Sequence, residues 1–343
     1  MTFQNRVLFC AIAYKQNQPK IMKRINLIFA LFSLTFFAIS CSKADEPCVK
    51  KIWYQDADGD GLGNKAVTSE ACDQPAEYVA NSNDDNDNPV KTPVSIIPTK
   101  GYTTPTSYAN LKAIWADEFD GTSLNETYWN YEIGNNNGWG NNELEYYKKE
   151  NTTVKDGYLI IQAKQESIGG QNYTSSRLTT QNKFNLKYGR VDIRAALPKG
   201  KGIWPALWML GKNITTVSWP KCGEIDIMEM IGGSGKDNTV YGTAHWDNNN
   251  SYAQYGGNTQ LASGIFNDEF HVFSIIWDSR KIVWYMDDKK FHEIDTTPAG
   301  LSEFQEEYFF LINLAVGGNW PGSPDISTVF PQHLIVDYIR VFQ

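Results

Sequence analysis

The stretch "GEIDIMEM", residues 223–230, sets three carboxylates into an otherwise apolar, strand-like run. Side chains alternate between the two faces of a β-strand, so Glu224 and Asp226 share the face opposite the isoleucines. Glu229 has the wrong parity for that face. A carboxylate left on the core side would be charged and unpaired, so we predict a β-bulge at residues 227–228 that returns Glu229 to the acidic face.

Three acids in a row on one open face could hydrolyse a glycoside. Retaining hydrolysis needs two carboxyl groups about 5 Å apart, one to attack the anomeric carbon and one to protonate the leaving oxygen. Glu224 and Glu229 are the candidates, and Asp226 between them would keep their titrations apart through hydrogen bonding and like-charge repulsion. The alternative is a calcium or ion-pair cluster on a solvated face. The alternating isoleucines disfavour it because they indicate a packed sheet.

Many short, alternating apolar runs separated by Gly, Asn and Asp predict an all-β domain over residues 108–343. The strand-like runs are "GYLIIQAKQ", "YGRVDIRAAL", "GIWPALWML", "HVFSIIWD", "KIVWYMDD" and "HLIVDYIRVF". In "IIWDSRKIVWY" we expect two strands around a turn at residues 278–281. So many strands in one domain predict two packed antiparallel sheets, a β-sandwich whose concave face forms a long cleft.

The composition narrows the class of ligand. The chain of 343 residues has a formal net charge of −8, which argues against a basic surface for nucleic acid or for an anionic membrane. Its aromatic content of 13%, with 11 Trp, suits a neutral ligand that stacks on rings. We therefore expect a polysaccharide partner and no nucleic acid. We also expect a monomer.

A targeting segment begins at Met22, and residues 1–21 are interpreted as a leader upstream of the true start. The run "MKRINLIFALFSLTFFAISC" has a basic start, an apolar centre and small residues before its cysteine. It resembles a bacterial lipoprotein signal peptide over residues 22–40, with Cys41 as the lipidated first residue. The following "SKADE" resembles an export signal of surface lipoproteins. We expect an outer-membrane lipoprotein at the cell surface, held by its lipid alone; a plain secretory signal and a secreted protein are the alternative.

An acidic module follows at residues 41–90. In "WYQDADGDGLGN", Asp56, Asp58 and Asp60 stand at alternate positions, the spacing that wraps oxygen ligands around Ca²⁺. The loop lacks the bidentate glutamate of an EF-hand, and with "NSNDDNDN" it more closely resembles a thrombospondin type 3-like calcium repeat. A solvated acidic linker is the alternative interpretation.

The cysteines and prolines complete the organisation of the chain. Cys48 and Cys72 flank an acidic loop, and in an oxidising compartment we expect them to form a disulfide. Cys222 has no His or Asn at motif spacing and is interpreted as a passive, packed thiol. The Pro- and Thr-rich residues 91–107 are interpreted as a linker.

Residues from about 114 to the C-terminus resemble glycoside hydrolase family 16, the laminarinase-like β-glucanases. The bulged "GEIDIMEM" motif carries the resemblance together with blocks in family order: "GWGNNELEYY", "SSRLTTQNKFNLKYGRVDIRAALPKGKGIWPALWML", "GTAHW", "FHVFSIIW", "LAVGGNWPG" and "VDYIRVF". The resemblance implies a concanavalin A-like jelly-roll sandwich and retaining endo-hydrolysis with no cofactor for catalysis. It makes Glu224 the nucleophile, Glu229 the acid/base and Asp226 the supporting acid.

The resemblance also implies residues for sugar and metal binding. The substrate-binding candidates are Asn142, Arg177, Trp204, Trp208, Trp219, His245, Asn319 and Trp320. For Trp208 a place in the core is the alternative, and for His245 a purely structural role. Asp337 stands where many relatives ligate a structural Ca²⁺ away from the cleft.

These observations predict a surface lipoprotein endo-β-1,3-glucanase acting on laminarin-like glucans. Within the enzyme class the alternative substrates are mixed-linkage β-glucan and a marine galactan such as agar, because the rim loops that select a linkage are not described by spacing. A non-catalytic, lectin-like sandwich that only binds glycans is the alternative from another class. The presence of both Glu224 and Glu229 disfavours it.

Overall fold

The computed structural model describes residues 48–57, 61–84 and 96–343. These residues fall into two compact units, one before residue 92 and one from residue 92 onward. The predicted leader, signal peptide and lipidated Cys41 lie outside the described residues, as do Asp58 and Asp60. Within the described ranges, no helix is long and apolar enough to cross a membrane.

The first unit is a small antiparallel sheet in the order β2-β1-β3. Its strands are β1 (Lys51–Gln55), β2 (Asn64–Ala71) and β3 (Tyr78–Val79). A disulfide joins Cys48 to Cys72, with 5.8 Å between their Cα atoms. Ile52 and Val67 are exposed, so the described part of this sheet buries little apolar surface and the disulfide is a main cross-link.

The second unit is a jelly-roll sandwich of two antiparallel sheets, as the sequence predicts. The sheet that forms the cleft, here called the cleft sheet, has the order β15-β14-β13-β12-β19-β10-β5. Its strands are β5 (Asn130–Glu132), β10 (Arg177–Thr179), β12 (Ile203–Gly211), β13 (Glu224–Glu229), β14 (Thr239–Asp247), β15 (Tyr252–Gln260) and β19 (Tyr308–Val316).

The opposite sheet, here called the back sheet, has the order β18-β17-β16-β11-β20-β8-β7, and β4 also pairs with β20. Its strands are β4 (Ala113–Asp117), β7 (Thr152–Lys155), β8 (Tyr158–Ala163), β11 (Gly189–Ala196), β16 (His271–Trp277), β17 (Lys281–Met286), β18 (Lys289–Asp295) and β20 (Gln332–Phe342). The remaining elements are the parallel pair β6 (Glu145–Tyr147) and β9 (Tyr173–Ser175), the helical turn α1 (Ile214–Val217) and 3-10 helices at Lys149–Asn151 and Ala299–Gln305.

The six strand-like runs of the sequence are confirmed as β8, β11, β12, β16, β17 and β20. The predicted turn between β16 and β17 is also present, with the Asp278 amide donating to the Lys281 carbonyl over 3.0 Å. The core lies between the two sheets and is rich in large rings such as Trp277, Trp284 and Phe310, all essentially inaccessible to solvent. Burial of this apolar surface is what holds the sheets face to face.

Residues 100–108, here called the strap, lie against the back sheet. Gly101 bridges to Phe270, and the Thr104 amide donates to the Tyr338 hydroxyl over 2.9 Å. The Tyr108 hydroxyl donates to the carboxylate of Asp192 over 2.6 Å. The end of the segment predicted as a linker is therefore bonded to the sandwich.

Candidate active site

A β-bulge places the three acids on one face of β13. Asp226 pairs with Trp208 of β12, and Glu229 pairs with Ala206. Two residues of β13, 227 and 228, therefore lie opposite the single residue Leu207 of β12, which is the extra residue of a bulge. The same shift occurs towards β14. Ile225, Ile227 and Met228 are buried in the core, while the carboxylates of Glu224, Asp226 and Glu229 all line the cleft. The bulge predicted from parity is confirmed.

Close backbone packing fixes where β13 begins. Gly223 has a φ of +75°, and a Cβ there would lie 2.0 Å from the Tyr308 hydroxyl, so only glycine fits immediately before Glu224. Further along the strand, the Trp284 indole donates to the carbonyl of Asp226 over 2.7 Å from beneath the sheet. Burial raises the pKa of the neighbouring Cys222 to about 12, so this enclosed thiol stays protonated at neutral pH.

The cleft has a volume of about 640 Å³ and is walled by rings and polar groups. Besides the three acids, its lining includes Asn141, Glu143, Trp204, Trp208, Trp219, Tyr241, His245, Tyr252, Gln254, Asn313 and Trp320. Flat indole faces beside carboxylates and amides are suited to pyranose rings, whose C–H groups stack while their hydroxyls form hydrogen bonds.

Each acid has its own polar partner. The Trp219 indole donates to Glu224 over 3.1 Å, and the Trp204 indole donates to Glu229 over 3.0 Å. His245 Nε2 lies 2.8 Å from Asp226 Oδ2 and 3.7 Å from Glu224 Oε1. The histidine is therefore bonded to the central acid and close to the first one.

Burial raises the pKa of each of the three acids to about 8, and the charge of Asp226 adds to this effect at both glutamates. Groups this close titrate as a coupled set, in steps whose apparent pKa values belong to the cluster rather than to single residues. Once one carboxyl is ionised, its charge holds the protons on the others. The cluster therefore keeps at least one proton at neutral pH, as a site that needs both an acid and a carboxylate requires.

The four predicted tryptophans all line the cleft. Trp204 and Trp219 contact the acids, Trp320 contacts Trp204, and Trp208 forms part of the cleft floor. Trp204 and Trp219 are bonded to the glutamates as described. Trp320 is 41% exposed and meets Trp204 edge-to-face with 5.7 Å between centroids. Trp208 also lines the cleft, and its indole donates to Asn313 over 2.8 Å.

The other predicted sugar ligands lie beside the cleft lining rather than in it. Asn142 donates to Asn319 over 2.8 Å, so these two side chains bond each other, and it is the adjacent Asn141 that lines the cleft. Arg177 forms an ion pair with Glu132, and its guanidinium stacks on the rings of Trp139 and Trp208 at 4.7 and 4.9 Å. This stacking holds the Trp208 ring in place.

The predicted metal residues give a different picture. Asp337 Oδ2 lies 2.5 Å from Arg194 Nη1, so its charge is already balanced by a cation. Across residues 48–57, 61–84 and 96–343, Asp337 belongs to no cluster of three or more His, Cys, Asp or Glu side chains. Calcium binding through that oxygen would require this ion pair to open, and the role of Asp337 as a calcium ligand stays a prediction. In the first unit, Asp56 accepts the Gly61 amide over 3.1 Å, and its two predicted companions lie outside the described residues.

Several residues that line the cleft were not predicted from the sequence. Asn313 is the one amide in the apolar strand "YFFLINLAV" and accepts the Trp208 indole, so its isolation among apolar residues was an available signal. Tyr252 and Gln254 share one face of β15 and lie across from Asp247 and His245 on β14. Nothing in the sequence alone assigns β15 to the edge beside the acids.

The fold and the cleft define a class of protein: a jelly-roll sandwich with a row of carboxyls on a sheet floored by indoles, an arrangement suited to glycoside hydrolysis. The profile of Glycosyl hydrolases family 16 matches residues 139–339, and the chain belongs to that family.

Known relatives agree with this membership. The chain is 37% identical to the clotting factor G alpha subunit of Tachypleus tridentatus, over 67% of this chain and 34% of that protein. It is 39% identical to the glucan endo-1,3-beta-glucosidase A1 of Niallia circulans, over 71% of this chain and 39% of that protein. Among solved structures, the laminarinase catalytic domain of Thermotoga maritima is 47% identical with a TM-score of 0.65, and the match covers 68% of this chain and 99% of that one. The chain thus spans between a third and two-fifths of the length of these two curated relatives and nearly all of the solved domain.

Proposed function

We propose that the chain is a retaining endo-β-1,3-glucanase that acts on laminarin-like glucans. The observation that carries the proposal is the row of three carboxyls on β13, facing a cleft walled by indoles. The substrate class is supported by the Niallia circulans relative, a glucan endo-1,3-beta-glucosidase, and by the Thermotoga maritima domain, a laminarinase.

In the proposed mechanism Glu224 is the nucleophile and Glu229 the acid/base. Glu224 attacks the anomeric carbon while Glu229 gives its proton to the leaving glycosidic oxygen, which forms a covalent glycosyl-enzyme. Glu229 then takes a proton from water, the resulting hydroxide attacks the same carbon, and Glu224 leaves. Two inversions retain the configuration. Burial raises the pKa of both glutamates and the nearby His245 lowers both, so the division of roles between them rests on the family motif.

A panel of polysaccharides tests the substrate. Reducing ends released from laminarin, lichenan, agarose and carrageenan should appear first and fastest with laminarin, and Glu224→Gln and Glu229→Gln should each lower the rate by orders of magnitude. Preference for lichenan would indicate a mixed-linkage enzyme, and preference for agarose or carrageenan a galactanase. Binding without any release of reducing ends would indicate the lectin-like alternative and overturn the proposal.

We also propose that the protein is a lipoprotein anchored through Cys41 and exposed at the cell surface, with Ca²⁺ bound by Asp56, Asp58 and Asp60 in the acidic module. The sequence pattern around residues 22–40 supports the anchor. The alternation of the aspartates supports the calcium site.

A further inference from the structure

A chain of hydrogen bonds leads from the acid cluster to the edge of the cleft sheet. His245 Nε2 lies 2.8 Å from Asp226 Oδ2, and His245 Nδ1 lies 2.8 Å from the Tyr252 hydroxyl. The Tyr252 hydroxyl in turn donates to Gln254 Oε1 over 2.5 Å. The register of β14 and β15 brings these groups together, because His245 pairs directly with Gln254.

The chemistry of these groups fixes the protons along the chain. A phenol has one proton to donate, and the amide oxygen of Gln254 can only accept. Tyr252 therefore has no proton for His245, and the contact at Nδ1 forms only when Nδ1 carries a proton of its own.

One further proton lies between His245 Nε2 and Asp226 Oδ2. If this proton is on Nε2, the His245 imidazolium faces the Asp226 carboxylate. If it is on Oδ2, the neutral His245 ring, protonated at Nδ1, accepts a hydrogen bond from the Asp226 carboxylic acid. In both cases the net charge of this histidine–aspartate pair is zero. If Tyr252 donated to Nδ1 instead, a neutral Nε2–H ring would face an ionised aspartate, and the pair would carry a net charge of −1.

We propose that Gln254, acting through Tyr252, is a positioning residue that keeps the histidine–aspartate pair electrically neutral beside the two reactive glutamates. The proposal rests on the roles given above to Glu224 and Glu229. A negative charge added next to them would raise the pKa of both, because each would ionise against a nearby like charge.

The surroundings of the pair agree with this proton count. The titratable groups around it are Glu224 and Glu229 from β13, Tyr241 from β14 and Tyr252 from β15, with Glu143 in the same cleft lining and Cys222, Glu303 and Tyr308 behind Glu224. Arginine and lysine side chains are absent from the cleft lining of the described residues, so no other cation balances a charge on the pair. Burial raises the pKa of Tyr252 to about 12, so its hydroxyl keeps the proton that it donates to Gln254.

Nitrogen NMR of the histidine ring in the substrate-free protein tests the proton positions directly. The chain has 4 His, and the signals lost in His245→Gln identify the ring of interest. In the wild type we expect Nδ1 to be protonated. In Gln254→Leu the hydroxyl of Tyr252 is released to donate to Nδ1, so the Nδ1 proton should be lost to solvent and the ring should keep only a proton at Nε2. Gln254→Glu keeps an acceptor oxygen and should restore the wild-type pattern. Tyr255→Phe, on the other face of β15 against His292, is the matched control and should change nothing.

The pH dependence of kcat/KM for laminarin provides the second readout. In Gln254→Leu both limbs of the bell should move to higher pH by about 1 unit, while Tyr255→Phe keeps the wild-type profile. A wild-type ring protonated at Nε2 and bare at Nδ1 would overturn the proposal, and so would a Gln254→Leu variant with unchanged ring signals or an unchanged profile. Failure of the proposed function is a separate result, since it would appear as full activity in Glu224→Gln or Glu229→Gln.

Discussion

The side chain of Glu229 lies in the cleft because β13 has one more residue at its bulge than the strands paired with it. Without the bulge at residues 227–228 its carboxylate would point between the sheets, among the core side chains that now surround Ile227 and Met228. In the cleft the carboxyl of Glu229 is partly buried. Burial raises its pKa, so the group can take up a proton instead of remaining as an unpaired charge.

The three acids should make the protein less stable as the pH rises. Their folded pKa values of about 8 lie above the roughly 4 of unfolded carboxyls, so the folded state binds more protons between these limits and unfolding becomes easier as pH increases through that window. Glu229→Gln has no charge to bury. We expect its melting temperature to exceed that of the wild type at pH 8, with a smaller difference at pH 5.

Glu150→Gln, at an exposed position, is the control for this pH series. Its melting curve should run parallel to that of the wild type at every pH. Equal pH slopes for Glu229→Gln and the wild type would show that burial of this acid is not linked to stability.

At the scale of elements, the strap shows how side-chain hydrogen bonds can anchor a Pro- and Thr-rich segment to a sheet. Asp192 is fully buried on the outer side of β11, where its carboxylate accepts from Arg190, Ser274 and Tyr108. The strap supplies the last of these three donors. It thereby completes the hydrogen bonding of a buried charge.

Removing that donor should destabilise the sandwich. Tyr108→Phe keeps the ring packed edge-on against Phe342 but leaves one carboxylate oxygen of Asp192 without its partner, at a cost of about 1–3 kcal/mol. Tyr102→Phe is the matched control, because that hydroxyl meets the exposed side of Asp288 and its loss should cost less than about 0.5 kcal/mol. Urea unfolding midpoints compare the two, and equal losses would contradict this role of Tyr108.

The strap also marks the limit of what the sequence could predict. Short runs of alternating apolar residues identified six strands of the sandwich, and the parity of Glu229 identified the bulge. The strap has no such period. Its bonds to Asp192 and Tyr338 span 84 and 234 residues of sequence, and no local pattern encodes contacts of that range. The same reason hid Gln254, whose role depends on a neighbouring strand.

At the scale of the whole molecule, the chain combines an acidic N-terminal unit with a hydrolase sandwich that needs no metal in its proposed chemistry. The two units should therefore respond differently to calcium. Chelation should increase protease cleavage between Cys48 and residue 88, because the described part of that unit buries little apolar surface. A fragment beginning at residue 96 should keep its melting temperature, because Arg194 already balances Asp337.

Gel analysis of timed digests with and without chelator measures the first effect, and calorimetry of the fragment measures the second. Equal cleavage of the N-terminal unit in both conditions would contradict calcium binding and support the alternative interpretation, a solvated acidic linker. A melting temperature of the fragment that falls on chelation would show that a calcium ion binds the sandwich despite the ion pair.

The proposed anchor predicts where the protein is found in the cell. Cys41→Ala should move it from the membrane fraction to the soluble fraction, since the lipid is the proposed means of attachment. Immunoblots of the two fractions measure the change, and Cys222→Ala, at a buried thiol of the sandwich, is the control that should stay with the membrane. An unchanged distribution of Cys41→Ala would contradict lipidation at this residue.

In the proposed double displacement, Glu224 becomes covalently attached to the sugar. A laminaribiosyl fluoride with fluorine in place of the reacting sugar's 2-hydroxyl slows both steps, while its fluoride leaving group lets the first proceed, so the intermediate accumulates. Mass spectrometry of the digested protein should then find one added glycosyl group, located on Glu224, and laminarin hydrolysis should stop as it forms. A label on Glu229 or Asp226, or hydrolysis with inverted configuration and no label, would contradict the account.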